Sequence, residues 1–254
     1  MSGQILIRIF VAVLLTLLPD IALATDDPDG RTVLARATAA HGGDGWANAR
    51  TLLLEGRAIF WGPEGAAPRS TADDYRMWRV FDPGRQAAHA AEGKVRITGT
   101  SKGKPIFTVG FDGTNTWNEK GVFPKVEADA FWASNFGFGI IRRAGNRGFV
   151  AARVADDRID GHPIYLVRLT DPRGGVTLFG IDRATYAIRT MGFMTPRGWH
   201  LRTYDDFVRL KNPDWLQARK VTLYYNGVKA NEVHWTKAVV NAPVDAKLFS
   251  PPLP

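Results

Sequence analysis

The chain has 254 residues and no cysteine, which excludes a disulfide framework, thiolate metal sites, a cysteine nucleophile and a lipid-modified cysteine anchor. Its 33 basic and 25 acidic side chains leave a formal charge of +8. That balance serves solubility and, in an exported protein, favours anionic partners such as phospholipid headgroups, lipopolysaccharide or acidic protein surfaces over nucleic acid.

Arg8 opens an apolar run from Ile9 to Leu18, broken by Thr16 and followed by Pro19, Asp20 and the small-residue site Ala22-Leu23-Ala24. A bilayer span needs about twenty apolar residues and this run offers roughly ten, so the pattern predicts a signal peptide cleaved after Ala24, with an uncleaved anchor as the alternative. Residues 25–254 are then expected to form one domain, exported to the periplasm, monomeric and without cofactor or metal.

From Arg31 the apolar residues Val33, Leu34, Ala37 and Ala40 recur at helical spacing, and Gly42-Gly43 end the helix. After Trp46, the run Leu52, Leu54, Gly56, Ala58, Phe60 alternates with Leu53, Glu55, Arg57 and Ile59. One face is small or apolar and the other carries charge, as at the start of a curved sheet. Asp74 to Phe81 reads as a second strand whose facing stays open, because Tyr75, Met77, Arg79 and Phe81 oppose Arg76, Trp78 and Val80. Asp82-Pro83-Gly84 is a turn. Lys94 to Ser101 and Pro105 to Phe111 are further strands, and Asp112-Gly113 signals a hairpin before Trp117.

Between Val122 and Ile141 the pattern changes. Phe123, Phe131, Trp132, Phe136, Phe138, Ile140 and Ile141 crowd together without a sustained period of two, which predicts a helical or irregular lid. Strands resume at Ile164 to Thr170, Val176 to Asp182, Ala187 to Met194, Trp199 to Phe207, Gln217 to Tyr225 and Asn231 to Val239, the last two joined by Asn226-Gly227. The expected architecture is mainly β (α+β): about ten strands, an N-terminal helix and a lid.

Several reactive-looking constellations fail on context. Gly99-Thr100-Ser101-Lys102-Gly103 matches a serine-nucleophile elbow and His41-Gly42-Gly43 an oxyanion loop, but the elbow needs a helix after the serine, and a strand follows instead. A small secreted serine hydrolase using Ser101 is kept as a minor alternative. The five histidines are scattered without metal-ligand spacing. Asp73-Asp74, Asp156-Asp157 and Asp205-Asp206 read as solvated turns, since strand neighbours point to opposite faces. Arg142, Arg143, Arg147, Arg153 and Arg158 form a basic group just after the lid, expected to meet lipid headgroups or an anionic surface, or else to be a solvated loop.

A set of motifs in order spans residues 39–249. It comprises Ala39-Ala40-His41-Gly42-Gly43, Trp46, Leu52 to Gly56, Phe111-Asp112-Gly113, Trp117, Ile181 to Tyr186, Thr203 to Phe207 and Val244 to Phe249. This set resembles the periplasmic lipoprotein-carrier superfamily, the LolA/LolB-like proteins. The resemblance implies a half-open antiparallel β-barrel with helices on its concave side and an apolar cavity that takes acyl chains of a lipid or lipoprotein. It implies a binder or carrier and not an enzyme. An anionic membrane surface or a membrane protein is the further partner expected. An envelope sensor or scaffold that binds a polypeptide with the same fold is the alternative. The carrier branch holds its lid with an arginine of the second strand, for which Arg76 and Arg79 are both candidates here.

The expected cavity walls are Leu52, Leu54, Phe60, Phe107, Phe111, Val221, Leu223 and Trp235, with Arg79 beside them and Phe131, Trp132, Phe136, Phe138 and Ile140 as lid. Ordinary core packing is the competing reading of each.

Overall fold

The structure, a computed structural model, describes residues 27–135 and 137–252. The expected signal peptide and Phe136 lie outside the described residues. Helix α1 (Gly30–His41) starts at Asp29, whose carboxylate accepts from the Thr32 amide at 2.7 Å, and stops at Gly42, whose φ of 128° no side-chain-bearing residue adopts easily. A short helix α2 (Gly43–Ala47) follows and buries Trp46.

The strands are β1 (Thr51–Trp61), β2 (Pro68–Val80), β3 (Lys94–Ser101), β4 (Lys104–Phe111), β5 (Thr116–Asn118), β6 (Gly121–Val122), β7 (Val150–Arg153), β8 (Asp157–Ile159), β9 (His162–Thr170), β10 (Val176–Asp182), β11 (Ile188–Thr195), β12 (Gly198–Lys211), β13 (Asp214–Tyr225) and β14 (Val228–Val240). All fourteen join one open antiparallel sheet, where the sequence led to about ten. The ten are present; the four extra strands, β5 to β8, have two to four residues each, too few to show an alternation.

The strand order is β6-β5-β4-β3-β2-β1-β14-β13-β12-β11-β10-β9-β7, with β8 also paired to β9. The sheet is thus two meanders joined where β1 pairs β14. Their remaining connection, from β6 to β7, must run from one edge of the sheet to the other. That segment holds helix α3 (Lys125–Asn135) and a 3₁₀ turn (Phe138–Arg143). Topology obliges this strap to cross the sheet, and the packing of its Ile140 and Ile141 on Phe179, Ile188 and Met191 places it on the concave face. Register shifts at Gly56, Gly99 and Gly180 interrupt the regular pairing, as bulges that curve a sheet do.

Along the inner face, cross-strand rows match. Val109, Ile97, Met77 and Leu54 face one another across β4, β3, β2 and β1. The half of the concavity over β9 to β11 is filled: Phe179, Ile181, Ile188, Met191 and Phe193 form one core with Val33, Leu34 and Ala37 of α1 and with Ile140 and Ile141 of the strap. The half over β1 to β4 and β12 to β14 is covered by α3, whose Trp132 packs with Val95 and Phe111 and whose Ser134 and Asn135 carbonyls accept from Tyr225 and Arg202, and space remains beneath it.

Candidate functional site

Between that half of the sheet and the strap lies a cavity of about 330 Å³, within the range of roughly 300–1,000 Å³ typical of small-molecule sites. Leu52, Leu54 and Met77 floor it with Ile97 and Val109, and Val221 and Val233 wall the other side. One end is aromatic. Phe60, Tyr75, Phe107 and Trp235 meet there with ring centroids 5.3 to 6.2 Å apart. They fit because Gly99 lies directly across from Phe107, whose ring occupies the space of an absent Cβ at 2.7 Å, and Gly56 lies between Tyr75 and Trp235 in register. Burial pushes the Tyr75 phenol up to about 12, so it stays neutral.

The opposite end is cationic. The connection between β2 and β3, residues 81–93, also crosses the concave side: the Ala88 amide donates to the buried Asp171 carboxylate at 2.6 Å, and the His89 ring stacks on Phe193 at 4.1 Å. This loop brings in Glu92, which accepts from Arg85 at 2.5 Å and from Arg79 at 2.9 Å. Burial alone would raise the Glu92 carboxyl, yet Arg79 and Arg85 hold it below the ordinary carboxylate value. Burial lowers Arg85 to about 10. The strap rests on this pair, since a Cβ on Gly139 would meet Arg85 Nη1 at 2.7 Å. Arg142 of the strap faces the cavity with its guanidinium over Phe81 at 4.2 Å, Trp46 at 4.8 Å and Trp215 at 5.0 Å.

His41 closes the wall beside α1. Its Nε2 accepts from the Ile188 amide at 3.1 Å, which leaves Nδ1–H to donate to the Leu216 carbonyl at 3.2 Å. Burial, with Arg142 and Arg209 nearby, lowers it to about 4, so the ring is neutral. Among the described residues no cluster of His, Asp or Glu is arranged to hold a metal ion.

Of the residues singled out from sequence, Leu52, Leu54, Phe60, Arg79, Phe107, Phe131, Trp132, Phe138, Val221 and Trp235 line this space. Three expected lining residues do not. Phe111 packs against the Trp132 ring at 6.2 Å, Leu223 is buried between Arg202 and Asn231 in the sheet, and Ile140 is fully buried in the core under the strap. Arg79 is the inward arginine of β2, while Arg76 is half-exposed and paired to Asp74 at 2.7 Å.

The basic group does not form one outward patch. Arg142 faces the cavity, Arg143 is buried with Nη2 donating to the Asp82 carbonyl at 3.4 Å, and Arg147 alone of the three is exposed. The tight 3₁₀ turn directs both Arg142 and Arg143 beneath the strap. Ser101 ends β3, and the two-residue turn Lys102-Gly103, with φ of 49° and 75°, leads straight into β4. The strand-to-helix geometry of a serine elbow is therefore absent there.

Sequence reading missed Arg85, Glu92, Arg202, Tyr204 and Trp215. The first two sit in a loop without periodicity, and their roles depend on partners such as Asp171, 83 positions from Ala88. Tyr204 and Trp215 lie in strands that alternate well enough for their facing to have been read.

No protein-family model matches the chain, and no curated protein matches it in sequence. Solved structures do. An outer membrane lipoprotein-sorting protein domain from Vibrio parahaemolyticus superposes with a TM-score of 0.54 at 10% identity, covering 87% of this chain and 95% of its own. A LolA superfamily protein from Nitrosomonas europaea gives 0.53 at 12% identity, with 88% and 98% covered. A DUF1329 family protein from Desulfovibrio piger gives 0.52 at 8% identity, with 87% and 95% covered. The fold is the LolA-like one that the sequence motifs resemble.

Proposed function

We propose that this LolA-like fold serves here as an exported, periplasmic carrier that holds the acyl chain of a lipid or lipoprotein in the cavity between sheet and strap, without chemistry of its own. One observation carries the reading: apolar and aromatic side chains from strands β1 to β4 and β12 to β14 surround space that the described residues leave open. Apolar walls around unfilled space forfeit dispersion and transfer energy, which a hydrocarbon guest restores. Each buried methylene returns about 0.8 kcal/mol, so a tail of about fourteen carbons gains roughly 10 kcal/mol in gross transfer, comparable with what a membrane offers. Exchange between membrane and protein then needs no covalent step.

The test is native mass spectrometry of the protein purified from a Gram-negative periplasm, paired with a variant that fills the space. Val221 lines the cavity between Tyr204 and Val233 in register, so Val221→Trp places a ring where the guest would lie. The expected result is a lipid-sized mass excess on the native chain that is absent from Val221→Trp, with both unfolding at similar urea concentrations. A native chain that is empty and binds no fluorescent acyl probe overturns the proposal.

A further inference from the structure

We propose that the cavity takes a single-chain amphiphile with its anionic end, a carboxylate or a phosphate, bound inside the protein by Arg142 and its hydrocarbon directed toward Tyr75. This rests on the acyl-binding reading above and adds the ligand's charge and orientation. A guanidinium offers five N–H donors and no acceptor. In Arg142, Nε and Nη1 are shielded from solvent and have no hydrogen-bond partner among the described residues. The faces of Phe81, Trp46 and Trp215 return part of the lost hydration energy, but they leave the in-plane N–H groups unmet.

Neighbouring charge deepens the deficit. Glu92 is the carboxylate that bears on Arg142, and it is already engaged by Arg79, Arg85 and the Asp82 amide. Burial, then repulsion from Arg79, lowers Arg142 to about 9, which still leaves it charged at neutral pH. A buried cation without an acceptor is among the costliest arrangements in a protein. An anion entering the cavity would accept charge-assisted hydrogen bonds from these N–H groups and balance the charge.

The orientation follows from the strand. Tyr75, in the aromatic cluster of β2, and Phe81, which directly follows β2 with its amide bonded to the Arg50 carbonyl and its ring under Arg142, are six residues apart, roughly 20 Å at about 3.3 Å per residue. The Arg142 end and the aromatic end of the cavity therefore lie a chain length apart, with Arg202 of β12, whose Nη2 donates to the Asn135 carbonyl at 2.9 Å, as a second lining cation near Tyr75.

The experiment compares three ligands of identical chain by titration calorimetry at pH 7.5: oleate, 1-oleoyl-lysophosphatidate and oleyl alcohol. The native chain should bind both anions at least tenfold more tightly than the alcohol, and the better of the two identifies the headgroup. Arg142→Met should bind all three alike, with alcohol affinity kept, and should unfold at no lower a temperature because an unmet cation has been replaced by an apolar stem. The native comparison needs no variant. Equal affinity for anion and alcohol, or an anion preference that survives in Arg142→Met, overturns this proposal and leaves acyl binding standing. Failure of all three ligands to bind overturns both.

Discussion

Acid should weaken this protein well before its carboxylates titrate, and two histidines set the effect. His41 is lowered to about 4 and His200 to about 2, in each case chiefly by burial, with Arg142 and Arg209 adding to the first and Arg202 to the second. His200 is fully buried, with Nδ1 against the Ser134 carbonyl at 2.9 Å. In the unfolded chain both titrate near 6.5. Below that pH the unfolded state takes up protons that the folded state refuses, so stability falls as pH falls, by about 1.4 kcal/mol per pH unit for each ring. Integrated from pH 7 to pH 5, each histidine costs about 2 kcal/mol, and the pair about 4 kcal/mol. Glu232 and Asp182, both held below their ordinary values, contribute stability that is lost only below about pH 4.5 and 3.8, outside this window. Urea unfolding at pH 7, 6 and 5, followed by tryptophan fluorescence, measures the slope. His41→Gln keeps an amide N–H for the Leu216 carbonyl and an oxygen for the Ile188 amide but cannot titrate, so its loss over the same range should be about 2 kcal/mol. An unchanged slope in that variant would refute the reasoning.

Glu92→Gln removes the buried carboxylate that Arg79 and Arg85 share and should cost about 3 kcal/mol in urea unfolding at pH 7; a loss below about 1 kcal/mol would show the network to be solvated. Gly56→Ala drives a Cβ into the His234 carbonyl of β14 and should cost about 3 kcal/mol by the same measurement. Gly45, exposed in α2 with nothing within 4 Å of an added Cβ, gives the opposite sign: Gly45→Ala should gain about 0.5–1 kcal/mol.

What could be read from sequence tracked the length of each element and the contrast between its faces. β1 alternates Leu52, Leu54 and Ala58 with charged neighbours over eleven residues, and its inward face follows directly. β2 is longer, at thirteen residues, but sets Met77 and Arg79 against Trp78 and Val80. No face is the apolar one, because Arg79 is admitted to the interior by a carboxylate thirteen positions away. The strap announced itself through aromatic density, yet the inward turn of Arg142 did not. A cation at that position reads as surface unless the rings of Trp46 and Trp215, distant in sequence, are known to receive it.

The strand order carries a kinetic consequence. Every ladder joins strands that are neighbours in the chain, or nearly so in the case of β7 and β9, except the one between β1 and β14, where Leu52 meets Val240. Hairpins with short loops close in microseconds, while the loop of about 170 residues between Phe60 and Asn231 carries the larger entropic penalty of distant ends meeting. Each meander can therefore assemble on its own schedule during synthesis, and the zippering of first strand to last is the event that waits for the complete polypeptide. Substitutions in that seam should slow refolding, whereas equally destabilising ones elsewhere in the ladders should chiefly hasten unfolding.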